Sequence, residues 1–287
     1  MDLLKTQTRL SVRRAIKTDR QQIANLTHFG SYIHSHLGWA SPLEWLGQDP
    51  FLVLEKDGRI AAALACPSDS PGVAWLQLFA VSAGISTEEA WGLLWPKAQD
   101  LLEQDTSVIV LPLQLWFRDL IRSKGFSHFN DVIMLMWENQ EPSFPDPLSE
   151  LDYHIRPMTI DDLSAVHAID AAAFDPVWQH SSTLIGVIFK DVKAATVVED
   201  SKGIMAYQMS TEYVERGHLA RVAVHPRAQR MGVGTILLQN LIQYFHRRGI
   251  YRITVNTQAE NSASRALYQK LGFKDTDEIY TTYRIKV

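Results

Sequence analysis

A short glycine-containing turn is the part of this sequence best suited to bind a ligand. Gln229-Arg230-Met231-Gly232-Val233-Gly234 lies between a predicted strand and a predicted amphipathic helix. Glycines let the backbone approach a ligand closely, and the free N–H groups at a helix start point towards an anion. Arg227 and Arg230 add positive charge. The turn therefore predicts a site for a phosphate or a pyrophosphate.

The two commonest nucleotide motifs do not fit this turn. A P-loop ends in Gly-Lys-Ser/Thr, whereas Gly234 is followed by Thr235 and Ile236. A dinucleotide fingerprint needs a third glycine where Leu237 stands and an acidic residue near Thr254. A strand-to-helix turn that binds no ligand stays open as the alternative.

Two ordered stretches resemble the GCN5-related N-acetyltransferase (GNAT) superfamily. "VAVHPRAQRMGVGTILL" (222–238) is similar to its acyl-CoA pyrophosphate motif, and "NSASRALYQKLGF" (261–273) to its second signature. "IRPMTIDDLSAV" and "AAAFDPVWQHSS" resemble the branch that acetylates ribosomal-protein N-termini. The resemblance covers nearly all of 153–287. It implies an acyltransferase that uses acetyl-CoA as co-substrate and no metal.

The resemblance also implies roles for individual residues. Backbone groups around Val222 and Val224 would hold the acetyl and pantetheine arm, and amides from Arg230 to Thr235 the pyrophosphate. Tyr268 would be the general acid, and its helical spacing from Asn261 puts both on one stripe. A packing role for Tyr268 is the alternative. The implied cofactor-binding residues are Val222, Ala223, Val224, Gln229, Arg230, Met231, Gly232, Val233, Gly234, Thr235 and Asn261.

The general base is the open part of this assignment. In the ribosomal N-terminus branch the base is a glutamate, and Asn256 stands at that position. In histone-type relatives the base lies four residues before the first cofactor-binding position, which here is His218. Glu215 and Glu260 are weaker candidates. A water chain that serves an already neutral α-amine needs no dedicated base, and His218 would then be an ordinary strand residue.

Around these residues, hydrophobic periodicity predicts an α/β unit ordered β-α-β-β-β-α-β-α-β over 153–287. Through the resemblance, each unit is expected to be a mixed, mostly antiparallel sheet flanked by helices. Ile236, Leu237, Leu241, Ile242 and Phe245 form one apolar stripe of the main helix.

The chain also repeats itself at an offset of 143, which becomes 147 near the end of each copy. We predict two tandem domains, 1–140 and 153–287, joined by a linker at 141–152 with its boundary near Pro145. The first copy is degenerate: Ser86–Trp91 replaces the glycine turn, Gln114 replaces Asn261 and Ile121 replaces Tyr268. It should neither bind acetyl-CoA in the family manner nor catalyse.

The first copy is rich in tryptophan, and we expect its tryptophans to lie in the core or a domain interface rather than to wall an acceptor groove: Trp39, Trp45, Trp75, Trp91, Trp95 and Trp116.

The composition of the chain argues against nucleic acid and membrane surfaces as partners. The chain has 287 residues, 46% of them hydrophobic and 21% charged, with a net charge of −4, which gives no global field for nucleic acid or membrane. The single Cys66, expected in the core, predicts a reducing compartment, so we expect a soluble, cytoplasmic protein. His34 and His36 lack a third metal ligand.

These observations leave two classes of function open. The first is an N-acetyltransferase acting on a small-molecule or peptide amine, as a monomeric pseudo-dimer or a weak homodimer. The second is a non-catalytic acyl-CoA-binding regulatory module, which the missing glutamate at Asn256 motivates.

Overall fold

The computed structural model describes residues 10–138 and 153–287, so the predicted linker 141–152 and its boundary lie outside the described residues. The chain forms two compact units. The first holds the described residues up to Phe129 together with Thr281–Val287, and the second is Asn130–Tyr280. The domain bounds predicted from the sequence stay a prediction.

The first unit is built on strands β1 to β8 and helices α1 to α3. The strands are β1 Leu10–Arg14, β2 Tyr32–Ser35, β3 Phe51–Lys56, β4 Arg59–Ala65, β5 Ser68–Ser70, β6 Val73–Trp75, β7 Leu78–Val81 and β8 Ser107–Val110. The helices are α1 Arg20–Phe29, α2 Thr87–Gln99 and α3 Leu115–Ser123. Strand β9, Ser127–Glu138, begins in this unit and continues into the second.

The second unit has a similar order, but its first helix is followed by another helix where the first unit has strand β2, and it has no counterparts of the short strands β5 and β6 among the described residues. Its strands are β10 His154–Pro157, β11 Ala194–Asp200, β12 Gly203–Tyr213, β13 Arg216–Val224, β14 Arg252–Gln258 and the first part of β15 Lys274–Lys286. Its helices are α4 Leu163–Ala173, α5 Ser182–Asp191, α6 Val233–Arg247 and α7 Ser262–Lys270. The predicted mixed α/β class is confirmed, and every predicted element of 153–287 is present.

Helix α5 is the element that the sequence analysis missed. Its apolar residues run almost continuously from Leu184 to Phe189 around Gly186, so the period does not separate a helix from a strand. The side chain of Ser181 accepts a hydrogen bond from the amide of Leu184 and starts the helix.

Each unit completes its sheet with chain from the other sequence half. In the second unit, β14 pairs antiparallel with Val132–Glu138 of β9, and the sheet order is β10-β11-β12-β13-β14-β9. In the first unit, the end of β15 pairs with β8, while β1-β3-β4-β7-β2 forms a five-stranded sheet. The two copies have therefore exchanged their last strands.

An ion-pair cluster recurs at the same place in both units. The guanidinium of Arg13 donates to Asp19 at 2.6 and 2.9 Å and to Glu55 at 2.7 Å. Arg156 makes the same contacts with Asp162, at 2.7 and 2.9 Å, and with Glu199 at 2.9 Å. The equivalent contacts support the tandem duplication read from the sequence.

Helix α6 packs its apolar stripe against the sheet of the second unit. Ile236, Leu237, Leu241, Ile242 and Phe245 are all buried, as the periodicity predicts. A Cβ atom at Gly217 would lie 2.7 Å from the Phe245 ring, so glycine is required where α6 crosses β13. This packing fixes the start of α6 beside the end of β13.

Candidate functional site

A cleft opens where β13 and β14 separate. Within the described residues, the two strands pair in parallel only over Gly217–Leu219 and Ile253–Val255. On its other side β13 stays paired with β12 as far as Val224. The side of β13 that faces β14 therefore offers backbone groups from Val222 to Val224 to a ligand.

The glycine turn closes one end of this cleft. Gly232 precedes α6 with a left-handed φ of 82°, and Arg230 has a φ of 63°. A Cβ atom at Gly232 would meet nothing within 4 Å. Helix α6 begins without a side-chain cap, so its first N–H groups are available to an anion.

The cleft has a volume of about 520 Å³ and brings most of the predicted binding residues together. The predicted residues that line it are Val222, Ala223, Val224, Gln229, Arg230, Gly232, Val233, Gly234, Thr235, Asn261 and Tyr268. Met231, which is 54% exposed, and His218 are not among the lining residues. The residues that sequence reasoning missed are Ala173, Phe174, Ala228, Ala263, Ser264 and Leu267.

Tyr268 and Asn261 reach the cleft from α7. Tyr268 is 3% exposed and packs against Phe273, and burial raises the pKa of its hydroxyl above the ordinary value. The carbonyl oxygen of the Asn261 side chain accepts from the amide of Ser264 at 3.0 Å and so caps α7. Gly234 keeps α6 close to α7, since a Cβ atom there would lie 3.2 Å from Leu267.

His218 lies where β13 and β14 join, on the face opposite α6. Its Nδ1 atom is 2.9 Å from the hydroxyl of Thr254, and that hydroxyl is 3.5 Å from the carbonyl oxygen of Gly217. When the Thr254 hydroxyl donates its hydrogen to the carbonyl oxygen of Gly217, its oxygen accepts a hydrogen bond from Nδ1–H of His218. A neutral imidazole has only one N–H, so Nε2 is then unprotonated and can act as a base. Burial lowers the pKa of His218, so the imidazole is neutral at pH 7.

The position of the missing glutamate and the two weaker candidate bases, Glu215 and Glu260, are more exposed than His218. Asn256 is exposed on β14, with no carboxylate at its place. Glu215 is exposed in the turn between β12 and β13, and Glu260 is exposed and accepts from Asn130 at 3.4 Å. Arg227 was expected to serve the glycine turn, but its guanidinium pairs with Asp200 at 2.7 Å.

A buried charged cluster, unforeseen from the sequence, supports the end of the cleft away from the turn. Arg221 donates to both carboxylate oxygens of Asp170 at 2.8 Å, and Asp170 also accepts from the hydroxyl of Tyr207. The guanidinium of Arg221 lies 3.7 Å from the ring centroid of Phe174. The available signal was a single aspartate in the apolar stretch "AIDAAAF".

In the first unit, aromatic side chains replace the small residues that line this cleft. Trp91 stands at the position equivalent to Gly234, while Trp116 and Phe117 stand at those of Ala263 and Ser264. The Phe117 ring lies 6.2 Å from Trp91 and 5.2 Å from Trp116, centroid to centroid. Phe79, the equivalent of Val222, packs against all three.

Strand β2 covers the equivalent edge of the first unit. Tyr32, Ile33 and His34 pair with Val81, Ala80 and Phe79, the counterparts of Val224, Ala223 and Val222. The start of α2 is also occupied, because Ser86 accepts from the amide of Glu89 at 3.1 Å. Chain atoms thus take the place that the second unit leaves to a ligand.

The cysteine and the tryptophans singled out in the first unit are buried or half-buried. Cys66, Trp45, Trp91 and Trp95 are buried, and Trp39, Trp75 and Trp116 are half-buried. His34 stacks on Phe117 at 4.1 Å, and burial lowers the pKa of His34 to about 3 and that of His36 to about 4. In the described part of the chain, no three His, Cys, Asp or Glu side chains converge to hold a metal ion.

Comparison with known proteins places this cleft in context. Residues 132–273 match the family model described as "Acetyltransferase (GNAT) family". Over 70 residues the chain is 34% identical to the [ribosomal protein bS18]-alanine N-acetyltransferase of Escherichia coli strain K12. This match covers 24% of this chain and 47% of that protein. Over 66 residues it is 39% identical to the mycothiol acetyltransferase of Paenarthrobacter aurescens strain TC1, and this match covers 22% of this chain and 20% of that protein. The matches thus span about half, or less, of these relatives.

A solved structure shares the fold of the whole chain. It is a tandem GNAT protein from the clavulanic acid biosynthesis pathway, with a TM-score of 0.60 and 14% identity, and 98% of each chain is covered. At this identity the likeness concerns the fold alone. Among residues 10–138 and 153–287, no helix is long and apolar enough to cross a bilayer.

Proposed function

Because the chain belongs, through residues 132–273, to the GNAT family of acetyltransferases, we propose that its second unit transfers an acetyl group from acetyl-CoA to a primary amine. The observation that carries this proposal is one cleft in which the free edge of β13, the uncapped start of α6 and Tyr268 meet. The amine belongs to a protein N-terminus, a lysine or a small molecule.

Binding of the co-substrate falls to backbone groups of this cleft. The N–H groups from Arg230 to Thr235 hold the pyrophosphate, supported by the positive end of the α6 dipole. The edge of β13 at Val222–Val224 holds the pantetheine arm in the manner of an added strand. The amide of Asn261 lies beside the arm.

The reaction also needs two proton transfers, one from the attacking amine and one to the departing thiolate. Acetyl-CoA supplies an acetyl group activated as a thioester. The nitrogen of a neutral amine attacks the thioester carbonyl carbon, and a C–N bond forms as the C–S bond breaks. Nε2 of His218 takes the proton that the nitrogen loses, and the hydroxyl of Tyr268 protonates the departing thiolate. A tyrosine hydroxyl with the ordinary pKa of about 10 is protonated at neutral pH, and burial of Tyr268 raises its pKa further, so a proton is available when the thiolate forms.

The ordinary pKa values of amines favour an α-amine as acceptor. Only the neutral amine attacks, and an α-amine with a pKa of about 8 is more often neutral at pH 7 than a lysine at about 10.4. An alanine N-acetyltransferase among the relatives supports the same choice.

The test is thiol release from acetyl-CoA over a panel of N-terminal peptides, lysine peptides and small amines. Tyr268→Phe removes only the proton donor, so we expect kcat to fall roughly 100-fold while the KM for acetyl-CoA changes little. Gly232→Glu places a carboxylate at the pyrophosphate site and should abolish acetyl-CoA binding. Tyr251→Phe, on an exposed tyrosine outside the cleft, is the matched control.

Two outcomes would contradict the proposal. Transfer that survives Tyr268→Phe and Gly232→Glu together would place the chemistry elsewhere in the chain. Tight acetyl-CoA binding with no turnover on any amine would indicate a non-catalytic acyl-CoA-binding module instead.

A further inference from the structure

Phe174 and Ala173 occupy a special place among the residues of the cleft. The other lining residues belong to β13, to the glycine turn and the residue before it, to α6, or to α7 and its N-cap, whereas Ala173 ends α4 and Phe174 follows it. Phe174 is half-buried, and its ring is the one phenylalanine ring among the lining residues. The cleft thus has a bulky apolar wall that the cofactor-binding elements do not supply.

The Phe174 ring lies away from the glycine turn. The ring packs against the guanidinium of Arg221, whereas Val224, three residues further along, ends β13 on the side of the glycine turn. Three strand residues span roughly 10 Å. With the pyrophosphate at the turn and the pantetheine arm along β13, Phe174 therefore faces the thioester end of the cleft.

The ring is held in place by buried contacts. The guanidinium of Arg221 lies 3.7 Å from the ring centroid, and the side chain of Arg221 is 11% exposed. The carboxylate of Asp170, which pairs with Arg221, is fully buried and also accepts a hydrogen bond from the amide of His180 at 2.9 Å. Arg221 further donates to the carbonyl oxygen of Trp178 at 2.6 Å. Moving the ring aside would lose its contact with the Arg221 guanidinium, which these buried charged contacts hold in place.

We propose that Phe174 is the specificity-determining residue that limits the acyl group to acetyl, with Arg221 as the positioning residue that holds its ring. The proposal rests on the proposed function, because it concerns the acyl end of the same thioester. A rigid aromatic wall leaves room for a methyl group and excludes the added methylenes of propionyl and butyryl thioesters.

The experiment compares CoA, acetyl-CoA, propionyl-CoA and butyryl-CoA by calorimetric binding without amine, and by kcat/KM with the best amine of the panel. In the wild-type chain we expect a loss of roughly 10- to 200-fold for each added methylene. Phe174→Ala should reduce that loss to less than about threefold, and Phe174→Leu should give an intermediate ratio. Thermal melting of each variant checks that it folds.

Leu267→Ala is the matched control, because Leu267 lines the same cleft beside Gly234 at the turn end. We expect it to keep the wild-type ratio between acetyl and butyryl thioesters, whatever its effect on absolute affinity.

The outcomes separate the two proposals. A wild-type chain that binds and transfers butyryl as well as acetyl overturns the role of Phe174 and leaves the acetyltransferase intact. A folded Phe174→Ala or Phe174→Leu chain with unchanged discrimination does the same. A wild-type chain that binds no CoA species overturns both.

Discussion

At the scale of single residues, a hydroxyl decides whether His218 can act as a base. A neutral imidazole has one donor nitrogen and one acceptor nitrogen, and the hydrogen bond at one nitrogen fixes the state of the other. The hydroxyl of Thr254, between Nδ1 of His218 and the carbonyl of Gly217, favours the tautomer with a free Nε2. Thr254 is thus a positioning residue for the proposed base.

Replacing Thr254 tests this arrangement. Thr254→Val keeps the shape but removes the hydroxyl, so we expect kcat to fall roughly tenfold with the KM for acetyl-CoA unchanged. Thr254→Ser keeps the hydroxyl and should restore most of the rate. Equal rates for the valine and serine variants would show that the hydroxyl does not act through His218.

At the scale of elements, the Arg-Asp-Glu cluster ties the first strand of each unit to the start of its first helix. In the second unit, Asp162 accepts from Arg156 and also from the amide of Thr159 at 2.7 Å, which forms a capping box. In the first unit, the amide of Ile16 donates to Asp19 at 2.8 Å. In each unit, one aspartate thus pairs with the arginine of the first strand and also caps the start of the first helix.

This cluster predicts a loss of stability in acid. Mainly through its hydrogen bond with Arg156, the pKa of Asp162 falls from 3.8 to about 2. A carboxylate whose pKa is lower in the folded state stabilises the fold above its unfolded pKa, and this contribution disappears as the pH falls from about 4 to about 2. We therefore expect the melting temperature of the second unit to drop over that window.

Arg156→Ala isolates the contribution of the cluster. It should cost about 2 kcal/mol at pH 7, because Asp162 loses its charged donor, and it should flatten the acid transition between pH 4 and pH 2. Arg13→Ala is the matched variant in the first unit. An Arg156→Ala chain with the wild-type acid dependence would assign that dependence to other carboxylates.

At the scale of the whole molecule, the exchanged strands make each unit depend on both sequence halves. Strand β14 pairs along seven residues with Val132–Glu138, and Leu135 and Trp137 of that segment are buried in the core of the second unit. A fragment that starts at 153 lacks this strand and exposes the edge of β14.

Two fragments test this dependence. We expect 153–287 to be unfolded or aggregated, and 127–287 to show more native structure by circular dichroism and a cooperative melt. A stable, monomeric 153–287 fragment would show that β9 is dispensable for the second unit.

The filled cleft of the first unit predicts the stoichiometry of the chain. Trp91, Trp116 and Phe117 take the place of the small residues that line the second cleft, and β2 covers the equivalent of its strand edge. Calorimetric titration with CoA should therefore give one site per chain, and Gly232→Glu should remove it. Two equivalent sites, or a site that survives Gly232→Glu, would contradict this interpretation.

The sequence by itself determined the features that depend on neighbouring residues. The strand, glycine turn and helix from Arg216 to Arg247 were predicted, because backbone hydrogen bonds and left-handed glycine conformations act over a few residues. The erosion of the first copy was likewise readable, since Glu88 and Glu89 stand where the second copy has its turn. The order of the elements followed from periodicity in the same way.

Only the tertiary structure decided the features that join distant parts of the chain. Arg221 meets Asp170 across 51 positions, and β14 takes a strand from the other sequence half. No local pattern encodes such contacts, because they form only when elements pack and bury their polar groups together. The wall at Phe174, the hydroxyl beside His218 and the closed cleft of the first unit all belong to this second kind.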